Sequence, residues 1–293
     1  MAPRRDWRKG FMATASAGLL AVGGPNVAAA DAPCDELDEC RVLIEINASD
    51  GDIGFHVLLD AEGWRQARID DPSGRRIFQE KASGQLRDQR LTENFFESAE
   101  PVCEEGLKEE ADEEVVTLPE FLERFPAGSY GFRVMIEKGG QLTGSTDLTH
   151  NIPAAPAEVD FDGSVISWEY GDDLGECTTL PPGFSVAPAS DIVGYEVVLE
   201  PEDDAFSSFK FTTQVPSNGP SYSLTVPAEY LASLPADTPL KIEVGAIERR
   251  PNGSFGNQTF TEEDGFCNNP DQEMCPEPVE ATVGIRPSRR RTR

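Results

Sequence analysis

The chain has 293 residues, of which 53 are acidic and 25 are basic, giving a formal net charge of −28 at pH 7. A surface with this charge repels nucleic acid and anionic headgroups, so neither is expected as a partner of the folded part. The roughly 260 residues that follow position 30 suit two domains of ordinary size.

Residues 1–30 are predicted to be a cleavable signal peptide. A basic start at 4–9 precedes an apolar stretch at 11–22 and a small-residue end at 28–30. This order is typical of secretory signals, and the stretch is too short and too rich in Gly and Ala to anchor the chain in a bilayer. The basic start also resembles a twin-arginine signal. We therefore expect export, no membrane span, and a secreted or periplasmic protein.

All six cysteines follow the predicted signal, at Cys34, Cys40, Cys103, Cys177, Cys267 and Cys275. An even cysteine count behind an export signal predicts disulfides formed in an oxidising compartment. Fifteen connectivities are open. Short spacing favours two local pairs, Cys34–Cys40 and Cys267–Cys275, and Cys103 would then have to join Cys177 across the domains. The sequence has no C-x-x-C pair, so a metal cluster is not expected.

Residues 31–151 are predicted to form an N-terminal β-sandwich-like domain. Apolar residues alternate in six runs separated by turn residues, and these runs predict strands at 41–48, 53–59, 64–69, 75–78, 130–137 and 142–150. Thr117 and Glu120 have capping-box spacing, with Pro119 in the first turn, so a short helix is expected there. Residues 91–96 are a second candidate for a helical turn.

A proline-bearing link at 151–157 separates this half from a second strand-rich half. Seven short runs in the second half predict a Greek-key sandwich over residues 152–266. The predicted strands are 159–161, 165–170, 193–200, 209–213, 222–226, 240–247 and 258–262. The fold class expected for the whole chain is therefore all-β, with two β-sandwich domains and one or two short helices in the first.

Several landmarks of the second half occur in a familiar order. Trp168 lies in the second predicted strand, residues 192–197 form the third, and 241–247 and 256–259 lie in the last two. These landmarks resemble the fibronectin type III pattern, which implies a seven-stranded sandwich. Leu240 stands where that family often has the tyrosine of its corner. A long insertion, 171–191, replaces the usual short loop after the second strand.

Residue types that carry catalysis are scarce, and we predict that the chain is not an enzyme. The two histidines, His56 and His150, fall in separate strand segments, where most histidines are packed or surface residues. The sequence contains no serine nucleophile elbow, zinc-protease motif or phosphate-binding loop. Accordingly, no catalytic, cofactor-binding or metal-ligating residue is assigned, and calcium is kept only as a candidate ion for one acidic turn.

The first turn is the one candidate for a metal site. Asn47, Ser49, Asp50 and Asp52 alternate oxygen ligands around Gly51, and hard cations bind several oxygens of one loop. Calcium is therefore the candidate ion, although Asp-Gly-Asp is also an ordinary turn sequence.

These features favour an extracytoplasmic binding or interaction protein that presents loops on β-sandwich scaffolds. Its partner is expected to be an unidentified protein or glycan of the cell envelope, and the 171–191 loop is the largest candidate ligand surface. Two alternatives are a calcium-stabilised structural envelope protein and a hydrolase with a carboxylate site. Residues 267–293 are predicted to be a Cys-containing extension and a basic, disordered tail, which could equally rest on the acidic body or touch an anionic envelope polymer.

Overall fold

The computed structural model describes residues 34–108, 114–136, 139–203, 205–219, 221–268 and 275. The predicted signal peptide, the basic tail and part of the acidic segment after Cys103 lie outside these ranges. The described residues belong to one compact unit. None of the described helices is long and apolar enough to cross a membrane.

The described part of the first half contains seven strands and two short α-helices. The strands are β1 (Glu39–Asn47), β2 (Asp52–Trp64), β3 (Gln66–Asp70), β4 (Arg76–Lys81), β5 (Leu91–Glu97), β6 (Gly128–Met135) and β7 (Gln141–Leu148). The helices are α1 (Gly84–Gln89) and α2 (Leu118–Arg124). Strands β1, β2 and β5 form one layer, and β4, β3, β6 and β7 form the other.

Alternating apolar residues fill the space between these two layers. Val42, Ile44 and Ile46 of β1 are fully buried, because side chains two positions apart share one face of a strand. Trp64 and Tyr130 are among the largest buried side chains of the same core. The Tyr130 hydroxyl donates a hydrogen bond to the Pro126 carbonyl at 3.1 Å. The predicted sandwich of the first half is confirmed.

One of the two helix predictions in this half is correct and the other is wrong. Helix α2 begins after Thr117, whose backbone N–H donates to the Glu120 carboxylate at 3.2 Å, as the capping box predicts. Residues 91–96, however, lie in strand β5, which pairs with β2. Pairing with the edge of β2 outweighs the weak local helical preference of this short segment. The second helix is instead α1.

The described part of the second half contains seven strands and one short α-helix. The strands are β8 (Pro156–Phe161), β9 (Val165–Tyr170), β10 (Ile192–Pro201), β11 (Phe211–Pro216), β12 (Ser221–Thr225), β13 (Pro239–Arg249) and β14 (Phe255–Cys267), and the helix is α3 (Ala228–Ser233). Each strand overlaps one that was predicted from the sequence.

Strand order assigns the second half to the fold that its sequence resembles. Strands β8, β9 and β12 form a three-stranded layer, and β11, β10, β13 and β14 form a four-stranded layer. Trp168 and Leu240 are buried in the core between them. This three-on-four Greek-key order is that of a fibronectin type III sandwich, so the expected fold is confirmed. The first half has the same strand order, a likeness that the sequence analysis missed.

The two sandwiches are joined through one continuous sheet. Strand β1 pairs in parallel with β14, with Glu45 opposite Gln258 and Asn47 opposite Phe260. The resulting seven-stranded sheet has the order β11-β10-β13-β14-β1-β2-β5. Ile46 of the first core lies opposite Thr259, which lies opposite Ala246 of the second core. Both cores therefore lie on the same face of this sheet, and its other face is not covered by either sandwich.

Buried polar side chains complete the joint between the halves. Asn257 is fully buried, and its Oδ1 accepts a hydrogen bond from the Ile44 backbone N–H at 2.9 Å. The Asn257 Nδ2 donates to the Thr149 carbonyl at 3.1 Å. The buried Arg250 guanidinium donates to the Val42 carbonyl. Because unpaired buried polar groups are costly, these bonds fix how β14 approaches β1.

The 171–191 insertion also holds the two halves together. Leu174 and Cys177 are buried in the core of the first half, and the Glu176 backbone N–H donates to the Ala48 carbonyl at 2.9 Å. Cys177 forms a disulfide with Cys103, and this bond links residues 74 positions apart. The two local pairs are present as well, so all three favoured pairs are confirmed: Cys34–Cys40, Cys103–Cys177 and Cys267–Cys275.

Removing the Cys103–Cys177 bond with the double variant Cys103→Ala/Cys177→Ala should lower the free energy of unfolding by about 4 kcal/mol, because the bond restricts a long loop of the unfolded chain. Denaturant unfolding followed by fluorescence measures this loss. The control is Cys34→Ala/Cys40→Ala, since that bond spans only 6 positions and should cost less. A loss no larger than the control's would contradict a clamping role for Cys103–Cys177.

Candidate functional site: an acidic trough on the shared sheet

The face of the seven-stranded sheet that neither sandwich covers carries a trough lined by carboxylates. Its volume is about 350 Å³. Each of six neighbouring strands contributes one carboxylate, and these are Glu196 (β10), Glu243 (β13), Glu262 (β14), Glu45 (β1), Asp52 (β2) and Glu97 (β5). A seventh, Glu100, follows β5. The trough therefore exists only because β14 and β1 are paired.

Aromatic side chains share the lining with these acids. Phe260 lies near the middle of the trough and Phe95 at its end on β5. The Phe95 ring is 60% exposed, which makes it one of the most accessible large apolar side chains among the described residues. Gly245 makes room for the Phe260 ring, because a Cβ at this position would lie 2.4 Å from the ring. Aromatic faces beside carboxylates favour cationic ligands.

Negative charge is partly offset in the part of the trough that the second half supplies. Lys241 Nζ lies 3.1 Å from a Glu243 carboxylate oxygen and 3.0 Å from a Glu262 carboxylate oxygen. At the other end, Glu45, Glu97 and Glu100 have no Lys or Arg ion-pair partner in the described part of the chain. His56 is the group that faces all three of them.

His56 is buried at the uncompensated end. Its residue is 6% exposed, and its Nε2 atom makes no hydrogen bond within the described ranges. The Nε2 atom lies 3.5 Å from Glu100 Oε1, 3.8 Å from Glu45 Oε1 and 3.9 Å from Glu97 Oε2. Burial lowers the pKa of His56, against the opposing field of Glu100 and Glu97. One imidazole nitrogen thus faces three carboxylate oxygens at 3.5 Å or more, which is longer than an ordinary hydrogen bond.

Backbone geometry brings Glu100 over this histidine. The chain leaves β5 and stays hydrogen-bonded to β2, since Ile53 N–H donates to the Pro101 carbonyl at 3.1 Å. Gly54 provides the space in which the two side chains meet. A Cβ on Gly54 would lie 2.7 Å from His56 Nε2 and 2.8 Å from Glu100 Oε1.

Crowding of like charges perturbs two of the carboxyl groups. Burial, together with the negative charge of four neighbouring carboxylates, raises the pKa of Glu45 to about 8; these neighbours are Glu100, Glu196, Glu97 and Asp52. Burial and the charge of Glu100 raise the pKa of Asp52 to about 7. Near neutral pH the trough therefore holds protons that a bound cation would displace.

The residues predicted for calcium serve mainly to shape the first turn. Asn47 Oδ1 accepts a hydrogen bond from the Ser49 N–H at 3.1 Å, and Asn47 Nδ2 donates to Asp50 Oδ2 at 2.8 Å. Ser49 Oγ donates to the Glu262 carbonyl at 2.8 Å, across the joint. Of the predicted oxygen ligands, Asn47 and Asp52 line the trough. Calcium binding in this turn stays a prediction.

The sequence analysis did not find the trough, although it noted three of its members, Asn47, Asp52 and His56. His56 was interpreted as a packed or surface strand residue, and it is buried, but its carboxylate neighbours were not foreseen. The remaining histidine, His150, lies elsewhere, with its Nε2 2.9 Å from the Phe125 carbonyl. A pattern in the sequence could have indicated this site. His56 and Glu45 are polar residues that each interrupt an apolar strand run.

Comparison with known proteins adds little to these observations. No protein-family model and no curated protein match this chain. Among solved structures, the FN1–FN3 domains of chicken CNTN1 share 13% identity over 76% of this chain and 65% of that one, with a TM-score of 0.26. This chain thus spans slightly less than two thirds of that structure. A two-domain fibronectin type III segment of chicken tenascin shares 9% identity over 78% and 98%, with a TM-score of 0.23. Scores this low carry no argument, so the fold assignment depends on strand order.

Replacing Glu45 with Gln should stabilise the protein above pH 8 by on the order of 2 kcal/mol, after allowance for solvent screening. The folded-state pKa of Glu45 lies above its unfolded value of 4.5. Its carboxyl therefore favours folding while protonated, and that contribution is lost as the pH rises from about 5 to 8. Denaturant unfolding from pH 5 to 9 in the presence of a chelator measures the difference.

The matched control is Glu229→Gln, which removes an exposed carboxylate on α3. Its stability difference from the wild type should change little over the same range. If Glu45→Gln and Glu229→Gln give parallel curves, crowding of carboxylates around Glu45 is disproved.

Proposed function

We propose that this protein is exported and acts outside the cytoplasm as a non-enzymatic binding module, and that the acidic trough is its ligand surface. The observation that supports the proposal is the convergence of one carboxylate from each of six adjacent strands of two sandwiches. Three disulfides support an oxidising compartment.

The proposed ligand is a basic segment of another exported or surface protein. Six strands at about 4.8 Å spacing span roughly 24 Å, which an extended peptide of about seven residues covers. Lysine or arginine side chains on such a peptide would meet the carboxylates in turn, and Phe95 and Phe260 would contact their cationic groups.

The trough is a better candidate ligand surface than the 171–191 loop. That loop is tied to the first half by a disulfide and by buried contacts. Thr178 and Thr179 at its centre donate hydrogen bonds to the Glu104 carboxylate. Its principal contacts are thus internal to the protein, whereas the Glu97 and Glu100 side chains of the trough are exposed.

A labelled ten-residue Lys-Gly repeat peptide tests this proposal by fluorescence anisotropy, with chelator present and at two salt concentrations. Glu97→Gln/Glu196→Gln removes one trough carboxylate from each half and should weaken binding about tenfold, because each lost pairing contributes a few-fold. Binding should also weaken at higher salt. A chain ending at residue 284 is measured alongside, since the basic tail would compete for the same carboxylates.

The control variant, Glu123→Gln/Glu229→Gln, changes the net charge equally at exposed positions outside the trough. It should bind the peptide within about twofold of the wild type. Equal weakening by both double variants would show that only net charge attracts the peptide, and no binding by either chain length would refute the basic-ligand proposal.

A further inference from the structure

The His56 end of the trough has a feature that the proposed peptide ligand does not explain. The imidazole is buried, its Nε2 makes no hydrogen bond among the described residues, and it is aimed at carboxylate oxygens rather than at a donor or solvent. A polypeptide rarely leaves a buried polar atom unpaired. A cation between the imidazole and the carboxylates would be coordinated by the Nε2 atom and by the carboxylate oxygens, so that none of these atoms would lack a partner.

The spacing of these groups fits a single metal ion. One ligand atom from each of Glu45, His56 and Glu100 lies within 4.8 Å of the other two. Ligands at about 2.1 Å in a tetrahedral zinc site are about 3.4 Å apart. The observed separations from Nε2, 3.5 Å to Glu100 and 3.8 Å to Glu45, are close to this value.

We propose that Glu45, His56 and Glu100 form a binding site for one divalent first-row transition-metal ion, for which Zn²⁺ is the probe. The imidazole nitrogen favours such ions over calcium and magnesium, which prefer oxygen ligands. The proposal does not rest on the peptide ligand, because it needs no second macromolecule, although Glu45 and Glu100 line the same trough. It is also distinct from the calcium turn predicted from the sequence.

The position of the site suggests what the ion does. Glu45 belongs to β1, His56 to β2, and Glu100 to the segment after β5. An ion held by all three ties the segment after β5 to the sheet. The three groups line the trough, so water or a ligand group can complete the coordination.

Isothermal titration of tag-free, oxidised, chelator-stripped protein with Zn²⁺ tests the proposal, with thermal unfolding as a second readout. One ion should bind, and it should raise the melting temperature. His56→Gln and Glu100→Gln should each weaken binding at least tenfold. Gly54→Ala should also weaken binding although it removes no ligand, because its methyl group would intrude on His56 Nε2 and Glu100 Oε1.

Two controls separate this site from general attraction to an acidic protein. His150→Gln changes the only other histidine, and Glu243→Gln removes a trough carboxylate that is paired with Lys241. Both should keep the affinity for Zn²⁺ within about threefold of the wild type. Circular dichroism verifies that each variant is folded.

Unchanged Zn²⁺ affinity in His56→Gln and Glu100→Gln would overturn the proposal, as would weakening of equal size in the controls. The peptide-binding experiment contains a chelator and therefore no free Zn²⁺. Failure of the Zn²⁺ titration would leave the peptide result interpretable, and the reverse also holds. If His56→Gln does not fold, the Zn²⁺ affinities of Gly54→Ala and Glu100→Gln test the proposal.

Discussion

The parallel pairing of β1 with β14 is the interaction on which the rest of the structure depends. It places an edge strand of one sandwich against an edge strand of the other and satisfies backbone groups that would otherwise be exposed. Because both cores then lie on one side of the sheet, the opposite side becomes a single surface built from both halves. Neither sandwich alone has more than three of the six strands that supply the carboxylates.

The joint is polar, and this has consequences for its stability. Asn257, Glu248 and Arg250 are buried beside it and bonded to backbone or hydroxyl groups of the first half. Burial lowers the pKa of Arg250 to about 10, although the charge of Glu248 opposes the shift. Such groups specify one relative position of the halves, since a shifted register would leave them unpaired. The Cys103–Cys177 bond then restrains that position covalently.

Much of the fold could be predicted from local sequence, and the particular elements show why. Alternation placed all seven strands of the second half, and Thr117 with Glu120 placed helix α2. The likeness of the first half to the second was hidden by two errors: a helical turn was predicted where β5 lies, and one strand boundary was misplaced. Trp64 was assigned to the start of the third strand, whereas it ends β2 after a register shift between Asp60 and Trp64. The sequence analysis also did not predict that Trp64 and Tyr130 share one core.

The candidate site could not be predicted in the same way. Glu45 and Glu262 meet only through the register of β1 with β14, and Ile44 and Asn257, which fix that register, are 213 positions apart. No local pattern encodes such a pairing. In a chain with 53 acidic residues, no carboxylate is conspicuous by itself. The disulfide pairing was easier to predict, because short spacing identified two pairs and the third pair followed by elimination.

Amide hydrogen exchange by NMR at the joint tests the central claim most directly. The Ile44 N–H donates to Asn257 Oδ1, the Ala48 N–H to the Phe260 carbonyl, and the Glu262 N–H to Ser49 Oγ. If β1 and β14 form one sheet, these three amides should exchange nearly as slowly as those of the central strand β13. Exchange at rates close to those of an unfolded chain would show that the halves separate freely, and the trough would then not exist as one surface.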